Sequence, residues 1–264
     1  MSPDQKTVAL VTGGASGIGL ALAAEIGTRV DTIVIADVDG ASLETASERL
    51  QDLDVAVHPH QVDLRNAQQV DELAAACRGL GAVTLACFNA GVVSSGQELW
   101  RTPEDTVRFV LDCNVVGAVN SIRAIVPMLV EQSLPSAVVI TASMAALVTT
   151  PYAGVYAASK AATVALAKAL RAELISVAPH VQVLVCCPGV VQTNLLRTSA
   201  RSNPDLMSDE IVEAGHETLN KIGMPAAEQA RRILTAVDEK RFWVLPPQED
   251  PLVGLLSAEL DPLG

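Results

Sequence analysis

Val8-Ala9-Leu10-Val11-Thr12-Gly13-Gly14-Ala15-Ser16-Gly17-Ile18-Gly19 is the stretch whose reading decides the fold. An apolar run of strand type passes through glycines into a segment with helical spacing. The glycines let the backbone turn sharply and approach a phosphate group, whose charge then meets free N–H groups at a helix start. Gly13, Ser16, Gly17, Ile18 and Gly19 are the candidate phosphate-loop positions. Their spacing, T-G-x-x-x-G-x-G, departs from the G-x-G-x-x-G fingerprint, so this stretch alone also fits a plain strand-to-helix turn.

Outward from it, short Val-, Ile- and Ala-rich runs alternate with helical patterns, the signature of a parallel sheet covered by helices on both faces. Strands are expected at 7–12, 32–36, 55–60, 83–89, 137–142, 181–187 and 242–245. Helices are expected at 18–27, 41–52, 67–78, 103–116, 118–132, 155–177 and 226–240. The expected fold is α/β: a single-domain, Rossmann-type doubly wound parallel sheet of about seven strands, helices on both faces, over residues 1–264. Connections are short except at 192–224, where polar residues and Pro mix with Leu195, Leu196, Leu206, Met207, Ile211 and Val212. A stretch that long inside a compact domain reads as a lid or substrate loop.

The 264 residues carry 18 Lys+Arg against 30 Asp+Glu, a formal charge of −12, and 50% are hydrophobic. That apolar content excludes a disordered chain. The acid surplus argues against a nucleic-acid or anionic-membrane partner. No span approaches ~18 uninterrupted apolar residues, and glycines break the first apolar run too early for a signal peptide. The expectation is a cytoplasmic protein. Cys77, Cys87, Cys113, Cys186 and Cys187 are odd in number, form no C-x-x-C and mostly lie in strand-like runs, as reduced core thiols do. His58 and His60 share a strand face, but no ligand set at metal spacing accompanies them, so no metal site is expected.

Asp37 ends the second strand eighteen residues past Gly19. An acid at about 20 residues accepts hydrogen bonds from the adenosine ribose of a bound dinucleotide. Its charge repels a 2′-phosphate, and no Lys or Arg stands in the glycine loop or just after Asp37, which favours NAD over NADP. A methyltransferase carries the same two features, so they leave the cofactor open. Tyr156 and Lys160 lie four residues apart and on a helix project from one face. A cation beside a phenol favours phenolate, which suits the pair to general acid/base work.

With these residues in hand, the sequence resembles the short-chain dehydrogenase/reductase family across nearly its whole length. The matching elements, in order and spacing, are Thr12-Gly13 through Gly19, Asp63, Asn89-Ala90-Gly91, Asn114, Ser143, Tyr156 with Lys160, and Pro188-Gly189 followed by Thr193. The resemblance implies Tyr156 as acid/base, with Lys160 lowering its pKa and binding the nicotinamide ribose. It implies Ser143 on the substrate oxygen and Asn114 holding a relay water. It further implies Asp63 and Leu64 at the adenine, Asn89, Ala90 and Gly91 along the adenosine ribose, and Pro188, Gly189, Val191 and Thr193 at the nicotinamide amide. Phe88 stands where the family most often has Asn, and Arg241-Phe-Trp-Val-Leu-Pro246-Pro247 lacks the family's common Gly-rich ending.

The implied activity is hydride transfer between NAD and a secondary alcohol or ketone. An NAD-binding regulatory protein without turnover and a 3-oxoacyl-thioester reductase are the alternatives; Tyr156 and Lys160 weigh against the first, the want of a basic patch against the second. Residues 143–152 and 192–224 offer Ala145, Ala146, Leu147, Val148, Leu195, Leu196, Leu206 and Met207, with Arg197 and Arg201 as nearby cations. That surface fits a medium-sized hydrophobic small molecule: a steroid, terpenoid, alicyclic or aryl-alkyl compound. Helices 118–132 and 155–177 are apolar on more than one face, so a homodimer or homotetramer is expected.

Overall fold

In the computed structural model, which describes residues 6–148 and 151–260, β1 (Thr7–Thr12) shows how the core is divided. Val8 and Leu10 enter one apolar layer, Ala9 and Val11 the other, as the two-residue period of a strand requires. Vicinal Cys186 and Cys187 part in the same way. The chain continues through α1 (Gly17–Ile26), β2 (Thr32–Asp37), α2 (Gly40–Leu50), β3 (Ala56–Gln61), α3 (Ala67–Leu80) and β4 (Ala82–Phe88). Next come α4 (Glu104–Leu111), α5 (Gly117–Gln132), β5 (Ser136–Thr141), α6 (Gly154–Val177) and β6 (Val181–Cys186). The last elements are β7 (Val191–Gln192), α7 (Leu195–Ser202), α8 (Asp209–Ile222), β8 (Met224–Pro225), α9 (Ala226–Asp238), β9 (Trp243–Val244) and α10 (Pro251–Leu260).

Seven strands form one parallel sheet in the order β3-β2-β1-β4-β5-β6-β9. Helices α3, α5 and α6 bury Leu73, Leu129 and Leu170 against one face; α1, α2 and α9 bury Leu22, Leu43 and Ile233 against the other. Each such side chain contributes about 1.5–3 kcal/mol when fully withdrawn from water. The strand order reverses between β1 and β4, and the crevice beyond the carboxyl ends of these strands is where ligands bind in open α/β sheets.

Several elements differ from the sequence expectations. Residues 104–132 form one continuous helical run, 29 residues long and apolar enough by length and composition to cross a membrane. Here it is a core helix: Ile125, Val126, Met128 and Leu129 pack under the sheet. A wide π-type turn at Asp112–Val116 interrupts its hydrogen-bond ladder. The 192–224 stretch is largely α7 and α8, tied at its ends by the parallel pair β7 and β8. Its amphipathic spacing was obscured by the polar residues that cover its exposed face. The seventh strand of the sheet shrinks to two residues at the edge, and the chain after it continues into α10, whose Leu252, Val253 and Leu256 pack against the core.

Candidate active site

The glycine stretch turns where the sheet order reverses. Gly13 has φ +64°, and a side chain on it would run into the Ala90 backbone, so the turn after β1 lies directly on the turn after β4. Thr12 fastens the two: its Oγ1 donates to the Cys87 carbonyl and accepts from Asn89 N at 3.0 Å and Ala90 N at 3.3 Å. Asn89 Nδ2 donates back to the Gly13 carbonyl at 3.4 Å. The backbone is thereby brought close to a cavity of about 510 Å³ running along the carboxyl ends of the central strands.

Gly13, Ser16, Gly17, Ile18, Asp37, Asp63, Leu64, Asn89, Ala90, Gly91, Ser143, Tyr156, Lys160, Pro188, Gly189, Val191 and Thr193 all line that cavity. Gly19 and Asn114 stand behind it. Gly19 backs against the Gly13 carbonyl. Asn114, buried in the π-type turn, accepts from Val92 N at 2.8 Å and donates to the Val92 carbonyl at 2.8 Å and Ser159 Oγ at 2.9 Å. Its side chain braces the segment after Gly91.

At one end of the cavity Asp37 accepts from Ala15 N and Asp39 N, each at 3.3 Å. Burial raises its carboxyl above the usual range. The carboxylate of Asp63 is occupied by Arg65: Nε and Nη2 reach its oxygens at 2.9 and 2.6 Å, and this bond lowers its pKa. The implied meeting of Asp63 with an adenine therefore shares that carboxylate with an arginine. Asn66 caps α3. Arg65, whose guanidinium stacks 5.1 Å from the Phe109 ring, Phe109 itself and Cys113 are lining groups that the sequence reading missed. Arg65 alone carried a signal, two positions past Asp63.

At the other end, Ser143 follows β5 and its Oγ accepts from Ala145 N at 3.1 Å, with the Tyr156 phenol lining the same cavity. Lys160 Nζ donates to the Thr141 carbonyl at 3.1 Å. Burial dominates both titrations, raising the phenol and lowering the ammonium to about 8. The expected depression of the Tyr156 pKa by Lys160 is absent from this arrangement, because desolvation outweighs everything else at the phenol. Behind them burial pushes the Cys187 thiol up to about 12, and all five cysteines are unpaired.

A third apolar cluster joins Tyr156 to Val93, Val110, Val155, Leu206, Met207 and Val212, with Ala145, Leu195, Leu196 and Ile211 at its margin. Ala146, Leu147 and Val148 turn instead into the main core, because the short 3₁₀ turn at Met144–Ala146 bends the chain inward; Thr149 and Thr150 lie outside the described residues. Neither arginine expected beside the substrate points there. Arg197 pairs with Glu213 at 2.6 Å, and Arg201 reaches Asp39 at 3.6 Å, so that α7 brings it to the Asp37 end. Val93, Val110 and Val155 were not read from the sequence as part of this wall.

A glycine-turn cavity at a sheet's switch point, with an acid at one end and a Ser–Tyr–Lys set at the other, defines a nicotinamide-dinucleotide oxidoreductase. The family model described as short chain dehydrogenase matches residues 7–204, and the chain belongs to that family. It is 39% identical over 217 residues to 1-deoxy-11-beta-hydroxypentalenate dehydrogenase of Streptomyces avermitilis, covering 80% of each chain. It is 35% identical over 257 residues to the enzyme of that name from Streptomyces arenae, covering 94% of this chain and 85% of the other. A short chain dehydrogenase/reductase from Burkholderia phymatum in complex with NAD superposes with a TM-score of 0.89 at 26% identity, covering 99% and 95%. This chain is accordingly a small-molecule oxidoreductase of the dehydrogenase/ketone reductase type.

Proposed function

We propose that the chain is an NAD-dependent dehydrogenase of a medium-sized hydrophobic secondary alcohol, or reductase of the matching ketone. The single observation that carries this reading is the meeting of Ser143, Tyr156 and Lys160 at one cavity, with Tyr156 also forming part of the apolar cluster. The residues fit the dinucleotide: glycines keep the pyrophosphate end open, and Asp37 faces the same cavity as Tyr156. Bound there, NAD supplies the acceptor for the carbinol hydride.

In oxidation Tyr156 Oη takes the hydroxyl proton, and in reduction it returns one to the carbonyl oxygen. The Ser143 hydroxyl donates to that oxygen and steadies its developing charge. Lys160 holds the cofactor ribose and keeps a cation near the phenol, with Asn114 holding the water that links it to solvent. Pro188, Gly189, Val191 and Thr193 hold the nicotinamide amide. Asp37 supports NAD over NADP. Arg65 and Arg201 reach the same end, but each is paired with an aspartate of its own, so the local balance stays acidic.

The Val93, Leu206, Met207 and Val212 wall supports an apolar substrate, and the hydroxypentalenate in the name of the Streptomyces relatives supports a terpenoid-like one. We infer a single catalytic domain with 192–224 as its substrate segment, working as a homodimer or homotetramer. Leu111, Val116, Val119, Ile175 and Val177 lie exposed on α4, the π-type turn, α5 and α6, an apolar surface that a second copy would cover. A screen of terpenoid, steroid, aryl-alkyl and sugar alcohols with NAD, followed by absorbance of reduced nicotinamide, tests the reading. A polyol outperforming every hydrophobic alcohol would overturn the substrate class.

A further inference from the structure

The tail beyond β9 returns to the cavity's edge. Asp250, at the start of α10, places one carboxylate oxygen 3.1 Å from Val190 N and the other 2.9 Å from Leu252 N. A single side chain thus caps the helix and holds the turn that follows β6. Gly189 is shaped to admit it, since a Cβ there would collide with the Asp250 carboxylate. The same turn is held elsewhere only through backbone: Met144 N donates to the Pro188 carbonyl and Met224 N to the Val190 carbonyl, each at 2.9 Å. Among the described residues Asp250 is therefore the side chain that fixes the Val190 amide, between two residues, Gly189 and Val191, that line the cavity. Packing of Leu252, Val253 and Leu256 on the core anchors the helix that carries it.

We propose that Asp250 is a positioning residue for the nicotinamide half of the cofactor, acting through the Pro188–Val191 turn from the C-terminal segment. The proposal rests on the assignment of that turn to the nicotinamide amide. By tying Val190 N outward, the carboxylate leaves the neighbouring main chain and Thr193 aimed at the cavity and sets how the carboxamide is met.

Asp250→Asn separates the two jobs. An asparagine oxygen still caps α10, while its amide hydrogens face the Val190 N–H and cannot accept from it. Titration of wild type and D250N with NAD and with ADP-ribose, which lacks nicotinamide, reads the effect. The expected result is NAD affinity about tenfold weaker in D250N, with ADP-ribose affinity unchanged. Kinetically, KM for NAD should rise more than kcat falls. Gly189→Ala should reproduce the NAD-selective loss by pushing the carboxylate away, and should add little in a D250A background. D250N weakening both ligands equally, or neither, overturns the inference while leaving the cofactor site standing. Wild-type protein that binds neither ligand overturns the cofactor reading and this inference with it.

Discussion

Lys160 Nζ lies 5.9 Å from the centre of the Tyr156 ring and gives its hydrogen bond to the Thr141 carbonyl. The two side chains share a helix face, as their spacing requires, yet each titrates chiefly against its own burial. For Lys160 the consequence can be measured without substrate. Its folded-state pKa is lowered from 10.5 to about 8, so between these values the unfolded chain binds the extra proton and unfolding free energy rises with pH. Below about 8 both states are protonated and the folded state carries the full cost of the buried charge. Denaturant unfolding of the cofactor-free protein should show this rise, and Lys160→Met should lack it. Parallel curves for the two proteins would count against a depressed lysine.

Tyr156→Phe should lower kcat by roughly 10² to 10⁴ while NAD binding changes little, since the ring still fills its place and only the transferable proton is lost. Ser143→Ala should lower kcat less severely, by about 10² or more, as removal of one oxyanion-type donor does. Steady-state rates with calorimetric NAD titration check both. A Tyr156→Phe enzyme at near-normal rate removes the phenol from the mechanism.

Cofactor choice should follow Asp37. Wild type is expected to favour NAD over NADP by at least about tenfold in kcat/KM, a difference of about 1.4 kcal/mol. Asp37→Ala should narrow the gap chiefly by weakening NAD. Releasing Arg201 through Asp39→Ala should improve NADP, because the freed guanidinium lines the same end of the cavity. Equal use of both cofactors by wild type would refute the role given to Asp37.

The substrate wall predicts a size dependence. Met207→Ala removes apolar contact beside Tyr156 and should reduce kcat/KM for a bulky hydrophobic alcohol by roughly 10- to 200-fold, sparing a small one such as 2-propanol. A uniform loss across alcohols of all sizes would place Met207 outside the pocket.

Light scattering at micromolar concentration should give at least a dimer, and Val119→Glu with Ile175→Glu should shift it toward monomer. Both positions are exposed, so the substitutions leave the core intact. A wild-type monomer contradicts the proposed assembly.

Local signals made the frame legible. Short Val-, Ile- and Ala-rich runs placed all seven strands of the sheet within about a residue at each end, the scatter usual for element ends. The Gly13–Gly19 turn, Asp37 at a strand end and the Tyr156/Lys160 spacing are short-range patterns whose geometry follows from strand and helix periods. Those residues do meet around one cavity. Residues 195–202 and 209–222 were hidden because polar residues cover one side of each helix, and the other side finds its apolar partner only across the fold, at Val93 and Tyr156.

What the tertiary structure alone decided is which distant groups become neighbours. Arg201 stands 162 positions after Asp39 and Asp250 stands 60 after Val190, and nothing in the intervening sequence marks either pair. Their approach follows from how α7 and α10 pack, which is set by the summed burial of many side chains. Packing also determined that desolvation controls the Tyr156 phenol. A sequence motif specifies which side chains a short segment projects from one face; the dielectric and the partners they meet belong to the assembled fold.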